Sequence, residues 1–280
     1  ITLSNIGDCI LTLPVLDSLR QKYPHSLITC LVPPRPREIF MNNPVVKNVV
    51  IFDKYAKLSD KIKLFFALSK ENFDMVVDLR NSFFGAFLPT KKNGLFSTLL
   101  RRIPVKIKHM KERHLFWANL FDYSKKNIEY QSLNITLPDT NYINGILSKE
   151  NLADSAKLVV IAPGSRSQIK CWDKQNFSQL CSQLVKMGYK IVLVGDSADQ
   201  PICNYLSQAK EEKIINLCAR TNLRQLAALL KKAQFLITND SAVMHLASYL
   251  NVPVVAIFGP TDEKKYGPWS KESIVIKKDV

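Results

Sequence analysis

Residues 233–262 read AQFLITNDSAVMHLASYLNVPVVAIFGPTD, and this stretch decides the fold. It opens with an apolar run of strand length at 234–238, followed by the polar triplet Asn-Asp-Ser at 239–241, whose short oxygen-bearing side chains suit a helix start. Apolar residues at helical spacing then predict a helix over 241–250, and 253–258 has the composition of a second buried strand. The stretch therefore predicts a strand–helix–strand unit of an α/β sheet.

The polar residues of this unit gather where its first strand ends. In α/β sheets, ligands bind in the crevice outside the carboxyl ends of the strands. A helix N-terminus at that place presents N–H groups and the positive end of a dipole, which favour phosphate. The unit therefore predicts an anion-binding site at the edge of the sheet.

Length and composition are those of a globular protein with two domains of ordinary size. The chain has 280 residues, of which 46% are hydrophobic and 22% charged, and no apolar run approaches a membrane span. We find no signal peptide, and a start at Ile1 rather than methionine indicates that the true N-terminus is missing. Six scattered cysteines without a CxxC pair indicate reduced thiols in a cytosolic protein.

The net charge is +15, and it is concentrated between residues 91 and 113. Eight basic residues lie there against one acid, with apolar residues between them. Nucleic acid, an anionic membrane surface and a phosphorylated substrate all fit such a segment, and so does a plain solvated basic face. The charge pattern alone does not choose between these four.

Strand and helix patterns alternate in both halves of the chain, which predicts mostly parallel sheets. Between about 127 and 156 the pattern changes to polar, turn-rich sequence, and we place the domain boundary there. We predict a domain at 1–140 and a second at 150–280. The expected architecture is two facing, doubly wound, Rossmann-like domains with a cleft between them.

Four clusters of polar residues fall at predicted strand ends, and three of them lie in the second domain. Each cluster also has a plainer interpretation: Asp8 as a first-turn carboxylate, Lys170 as a surface lysine, His245 as a buried, hydrogen-bonded histidine. No histidine or carboxylate cluster has the spacing of a metal site, and no GxSxG, GxGxxG or P-loop pattern occurs. The clusters are Asn5/Asp8, Ser165/Lys170, Asp199 and Asp240/Ser241/His245.

Three stretches resemble the signatures of the ADP-heptose:lipopolysaccharide heptosyltransferases, glycosyltransferase family 9. They are SNIGDCILTLPVLDSLRQKYP, PGSRSQIKCW and ITNDSAVMHLASYLNVPVVAIFGPTD, and VVDLRNS, KHMKERHL and LRQLAALLKKAQFLITND extend the similarity over nearly the whole chain. The resemblance implies the GT-B architecture, with an N-terminal acceptor-binding domain and a C-terminal nucleotide-sugar-binding domain. That architecture agrees with the two domains expected from the alternation of strands and helices.

The resemblance also implies roles for single residues. Asp8 matches the family's general base, which takes the proton of the acceptor hydroxyl as it attacks the anomeric carbon. The donor-side roles run from adenine to sugar: Thr221 at adenine, Asp199 at ribose, Lys170 with the neighbouring Ser165 at diphosphate, Ser241 and Ala242 at phosphate, Asp240 at sugar hydroxyls, and His245 in support.

The implied reaction is an inverting transfer from ADP-heptose to the lipopolysaccharide inner core or a related glycolipid, with no cofactor and no metal. A phosphorylated glycolipid acceptor, or the anionic inner membrane, would meet a basic surface formed by Arg80, Arg101, Arg102, Lys108 and Arg113. The enzyme would be cytoplasmic and peripheral at the cytoplasmic face of the inner membrane. No nucleic-acid partner is expected.

The sequence departs from the family pattern at two places. Ala242 stands where the family has glycine, and a methyl group there narrows the allowed backbone beside the phosphates. The chain also ends at Val280, so the family's usual C-terminal segment is expected to be truncated. Two alternatives stay open: another nucleotide sugar or acceptor, including a protein, on the same fold; or a basic module that binds polyanions or membrane surfaces.

Overall fold

The computed structural model describes residues 1–80, 82, 85, 87–90, 92–93, 103–118, 132–150, 152, 157–208 and 214–277. The chain divides into two compact units, Ile1–Asn134 and Ile135–Val280. All strand pairs among the described residues are parallel, which confirms the predicted α/β class. The domain limits 1–140 and 150–280 stay a prediction.

The first unit builds its sheet from short parallel strands. Residues before the first helix form no regular strand, but Thr2 N–H donates to the Leu31 carbonyl and Leu79 N–H donates to the Ile1 carbonyl. The first residues therefore join the two strand pairs, β1–β2 and β3–β4. The elements are α1 (Ile6–Lys22), β1 (Ile28–Val32), α2 (Arg37–Phe40), β2 (Val46–Ile51), α3 (Leu58–Ser69), β3 (Met75–Val76), β4 (Lys92–Asn93) and α4 (Met110–Trp117).

Helix α1 is the central element of the first unit. Every residue from Cys9 to Leu19 is buried, so the helix is enclosed on all sides rather than on one apolar stripe. Its Val15 and Leu19 pack in one cluster with Leu115 of α4. Since the middle of α1 is held this firmly, its first turn, which carries Asp8, has a fixed place at the end of the opening segment.

The second unit is a six-stranded parallel sheet with the strand order β10-β9-β8-β5-β6-β7. Counted within the unit, this is the 3-2-1-4-5-6 order of a Rossmann fold. The elements are α5 (Leu137–Lys149), β5 (Leu158–Ala162), α6 (Lys174–Lys186), β6 (Lys190–Leu193), α7 (Gln200–Ser207), β7 (Ile214–Asn216), α8 (Leu223–Leu230), β8 (Phe235–Asn239), α9 (Ala242–Tyr249), β9 (Val254–Phe258), α10 (Glu263–Tyr266) and β10 (Ile274–Lys277).

The topological switch point of this sheet lies between β5 and β8. The chain leaves the two strands in opposite directions along the sheet, which opens a crevice at their carboxyl ends. Both strands are almost wholly buried, so the loops that follow them start from rigid positions. The strand–helix–strand unit predicted from 233–262 is confirmed as β8, α9 and β9.

One stretch differs from its prediction. The turn-rich interpretation of 127–156 is wrong for 137–149, which form the 13-residue helix α5. Thr136 caps this helix in a capping box with Asp139, and a proline stands in its first turn. The helix packs against α8 and belongs to the second unit.

No helix in the described ranges has both the length and the apolar character needed to cross a membrane.

Candidate active site

The loops after β5 and β8 meet at the switch point of the second unit. The strands pair in register up to Ala162 opposite Thr238. Beyond them, the Ser165 hydroxyl donates to the backbone carbonyl of Asp240 at 2.9 Å. Two of the predicted donor-binding residues are thus joined directly, across 75 positions of sequence.

Lys170 and Asp240 form an ion pair at this edge. The Lys170 Nζ lies 2.6 Å from Asp240 Oδ2. The aspartate side chain is only 7% exposed, whereas the lysine keeps 31% of its surface in solvent. Lys170 stands at the end of a 3-10 turn, Gln168–Lys170, which directs its side chain across to the β8 loop. The structure therefore brings together two residues that the sequence assigned to diphosphate and sugar.

Asn239, the last residue of β8, holds the two loops in register. Its side chain is fully buried, donates to the Pro163 carbonyl at 2.6 Å and accepts from Trp172 N–H at 3.1 Å. One amide thereby fixes both ends of the segment that carries Ser165 and Lys170. Sequence reasoning gave Asn239 only a helix-start role, as part of the triplet 239–241, and missed this clamp because its partners lie 67 and 76 residues away.

Asp199 reaches the same place from the end of β6. It closes a capping box over the 3-10 turn Ser197–Asp199, accepting from Asp196 N–H at 3.0 Å. Its carboxylate lies directly on the backbone of Gly164, where a Cβ atom would come within 1.9 Å of Asp199 Oδ1. Burial is the main cause that raises the Asp199 pKa, and the hydrogen bond from Asp196 opposes it.

Helix α9 begins at this edge of the sheet. Ser241 is its N-cap residue, but the serine hydroxyl lies 3.0 Å from the Thr238 hydroxyl and makes no capping bond to the helix. Ala242 is the first helical residue. Because the Ser241 hydroxyl does not cap them, the N–H groups of the first turn keep the capacity to bind an anion at this edge.

Two further donor-side predictions, Thr221 and His245, lie elsewhere in the second unit. Thr221 stands between β7 and α8, next to Asn222, which caps α8. His245 is buried one turn into α9, and its ring stacks on Trp269 at 5.8 Å with 24° between the planes. The structure thus gives His245 a neighbour from the chain after α10, which the sequence did not predict.

Asp8 occupies the first turn of α1 in the first unit and is partly exposed. The Asn5 side-chain amide donates to Asp8 Oδ2 at 2.9 Å. Asn5 is the N-cap residue, yet its side chain makes no capping bond within the described chain. The NH2 group of Asn5 thus orients the Asp8 carboxylate, while its side-chain oxygen does not accept from the helix N–H groups as a cap would.

The predicted basic surface is only partly within the described residues. The Arg80 guanidinium lies 5.0 Å from the centre of the Phe52 ring, and the neighbouring Asp78 accepts from Arg80 N–H. Lys108 is exposed, and Arg113 is half-buried in α4. Arg101 and Arg102 lie outside the described residues.

Metal ligands were not expected from the sequence. Within the ranges that the structure describes, no three His, Cys, Asp or Glu side chains come together as a metal site. The expectation that the reaction needs no metal stays a prediction.

A family model described as glycosyltransferase family 9 (heptosyltransferase) matches residues 61–280, well over half of the chain. The chain belongs to glycosyltransferase family 9. The resemblance stated from the three signatures is thereby confirmed, and the protein is a glycosyltransferase.

Individual relatives agree with the family. The chain is 30% identical to lipopolysaccharide heptosyltransferase 3 of Escherichia coli (strain K12), over 96% of this chain and 84% of that protein. A family 9 glycosyltransferase structure from Veillonella parvula DSM 2008 matches with a TM-score of 0.83 at 24% identity, over 99% and 84% of the two chains. The structure of E. coli ADP-heptose lps heptosyltransferase II matches with a TM-score of 0.80 at 24% identity, over 98% and 88%.

The two structural matches share their fold with this family 9 chain and confirm the GT-B architecture. The roles of single residues stay predictions. The structure shows that Ser165, Lys170, Asp199, Asp240, Ser241 and Ala242 lie at one edge of the second unit's sheet, as a donor site requires.

Proposed function

We propose that this family 9 enzyme transfers heptose from ADP-heptose to the lipopolysaccharide inner core or a related glycolipid, with inversion at the anomeric carbon. The names of its relatives support lipopolysaccharide as acceptor and ADP-heptose as donor. The observation that carries the proposal is the cluster of cationic, hydroxyl and carboxylate groups at the Rossmann switch point, built around the Lys170–Asp240 pair.

The donor would lie across the carboxyl ends of β5, β6 and β8. Lys170 and the start of α9, with Ser241 and Ala242, bind the diphosphate. Asp199 accepts from the ribose hydroxyls and Thr221 lines the adenine pocket. Asp240 holds sugar hydroxyls. His245, which packs on Trp269, has a supporting role in α9. As the bond to the sugar breaks, negative charge grows on the departing ADP, and the lysine and helix N-terminus stabilise it.

Asp8 would act as the general base on the acceptor hydroxyl. The proton passes to its carboxylate while the acceptor oxygen forms the new bond to the anomeric carbon and ADP leaves. Asn5 donates to Oδ2, which fixes the carboxylate and leaves Oδ1 for the proton. One base on the acceptor side and charge stabilisation on the donor side are the two requirements of an inverting transfer.

On the acceptor side, Arg80, Lys108 and Arg113 supply positive charge for a phosphorylated glycolipid or an anionic inner-membrane surface. The enzyme would then work as a peripheral protein at the cytoplasmic face of that membrane. Neither a nucleic-acid partner nor a metal is part of the proposal.

The test is transfer from ADP-heptose to a heptose-deficient lipopolysaccharide acceptor, with Asp8→Asn as the key variant. We expect the variant to lose transfer at least about a hundredfold, the usual scale of general-base catalysis, with unchanged ADP affinity in calorimetry. Asp17→Asn serves for comparison, because Asp17 lies in the same helix as Asp8 but is buried and accepts from the Ser132 hydroxyl. Its loss should lower stability instead. Equal loss of transfer and ADP affinity in Asp8→Asn would remove Asp8 as the base. Transfer from another nucleotide sugar alone would correct the donor.

A further inference from the structure

The ion pair between Lys170 and Asp240 joins two groups that the donor would need separately. Asp240 is 7% exposed, and Lys170 is its partner at 2.6 Å. Among the described residues no second side chain donates to this carboxylate. Its backbone is held as well, because the Asp240 carbonyl accepts from Ser165. The carboxylate therefore cannot turn to solvent easily, and it depends on Lys170 for its compensation.

A nucleoside diphosphate disturbs this balance in two ways. Its phosphates attract the Lys170 ammonium, and they bring further negative charge next to Asp240. A shielded carboxylate that loses its cation stays desolvated with no opposite charge to compensate it, which weakens binding. The binding free energy of ADP alone would include the whole of this desolvation cost.

A nucleoside diphosphate sugar offers compensation that ADP lacks. Sugar hydroxyl groups donate hydrogen bonds, and a carboxylate is their natural acceptor. When they bond to Asp240, the carboxylate regains partners while Lys170 turns to the phosphates. The sugar thus relieves the cost that the diphosphate creates.

We propose that Asp240 sets the preference of this site for the nucleotide sugar over the free nucleotide, by competing with the diphosphate for Lys170. The inference rests on the proposed function, since it takes the donor to be a nucleoside diphosphate sugar. It adds a consequence for turnover. When the sugar has left, Asp240 recovers Lys170 and weakens the hold on ADP, so the product leaves more readily than the substrate.

The experiment is calorimetric titration of wild type, Asp240→Asn and Asp173→Asn with ADP and with ADP-heptose. The Asn side chain keeps the shape of Asp240 and removes its charge. We expect Asp240→Asn to bind ADP at least about fivefold tighter and ADP-heptose at least about fivefold weaker, a free-energy change of about 1 kcal/mol each. Asp173→Asn removes one exposed negative charge near the same edge while keeping an N-cap residue on α6, and should change neither affinity.

A double variant separates competition from simple repulsion. In Lys170→Gln, the added change Asp240→Asn should no longer tighten ADP binding, because no ammonium is left to release. If Asp240→Asn is unfolded by circular dichroism, Asp240→Ser carries the same comparison. Unchanged or weaker ADP binding in the folded variant overturns the inference and leaves the proposed function standing. Binding of neither ligand to wild type overturns both.

Discussion

Gly164 shows how a single hydrogen atom in place of a side chain shapes the proposed nucleotide site. A Cβ at this position would overlap the Asp199 carboxylate, which lies on the glycine backbone. We therefore predict that Gly164→Ala displaces Asp199 and lowers ADP affinity about tenfold or more, the scale of one lost charged hydrogen bond. Calorimetry with ADP measures the loss.

Gly145 provides the matched control for that substitution. It lies inside helix α5, and a Cβ there meets nothing within 4 Å. Gly145→Ala should leave ADP affinity unchanged and stabilise the protein by about 0.5–1 kcal/mol, because alanine loses less backbone entropy in a helix. Equal ADP affinity in the two alanine variants would show that Asp199 does not touch the nucleotide.

Single residues were predictable from sequence where a local pattern marked them. Asp8, Lys170 and Asp240 each follow a strand-like run of sequence and lie at or near a predicted helix start. The structure places Lys170 and Asp240 together at one edge of the sheet. The pairing of Lys170 with Asp240 and the clamp formed by Asn239 could not. Those contacts join positions 67 to 76 residues apart, and they depend on the order of strands in the sheet.

At the scale of elements, most helices and strands were predictable because apolar periodicity and caps agreed. Asp173 caps helix α6, which ends at Lys186, shortly before Gly188, whose φ of 85° lies in the left-handed region that glycine tolerates. Helix α5 was missed because its polar residues outweighed its apolar spacing. The signal was present in Thr136-Leu137-Pro138-Asp139, a capping box with proline in the first turn.

The packing of α4 on α1 makes the first unit sensitive to acid. His114 of α4 is buried, its Nδ1 lies 3.4 Å from the Leu11 carbonyl, and its Nε2 has no partner among the described residues. Burial lowers the His114 pKa to about 4; the Leu11 carbonyl opposes the shift, and His109 and Arg113 add to it. The neutral imidazole is therefore the form that fits the folded helix pair.

We predict that His114 costs the protein stability as the pH falls from about 6.5 to about 4. In this window the unfolded chain binds a proton at His114 and the folded chain does not, so unfolding is favoured by up to about 3 kcal/mol at the acid end. Above pH 6.5 His114 is neutral in both the folded and the unfolded chain, so it adds no pH dependence to the free energy of unfolding. Opening free energies of α1 and α4 amides, from hydrogen exchange at several pH values, measure the effect.

Two variants isolate His114 from the carboxylates that titrate in the same range. His114→Phe should flatten the pH dependence of α1 and α4, and His25→Gln, which alters an exposed histidine of the same unit, should leave it as in wild type. A pH dependence that His114→Phe does not change would assign the acid sensitivity to other groups.

At the scale of the whole molecule, the alternation of strands and helices was enough to predict α/β units and, with the three signatures, the GT-B fold. The net charge of +15 was compatible with an anionic partner and with a solvated basic face, and it did not choose between them. The structure narrows this question only for the second unit, where the positive charge of Lys170 is built into a shaped site beside Asp240. Binding in a shaped site and binding by diffuse surface charge depend differently on salt concentration.

We therefore predict that ADP binding persists with salt and is selective, whereas any binding of a polyanion is neither. Calorimetric titrations with ADP, UDP, GDP and a short single-stranded RNA, at about 50 mM and about 300 mM salt, should give an ADP affinity that falls by less than about threefold, since partly buried pairs are screened weakly. RNA affinity, where it exists, should fall about a hundredfold or more, because each neutralised phosphate releases a counterion. Selective, salt-resistant ADP binding places the function in the second unit's site. RNA binding without ADP binding would instead make the basic surface the functional part of the chain, and the donor-site residues would then have lost their ligand.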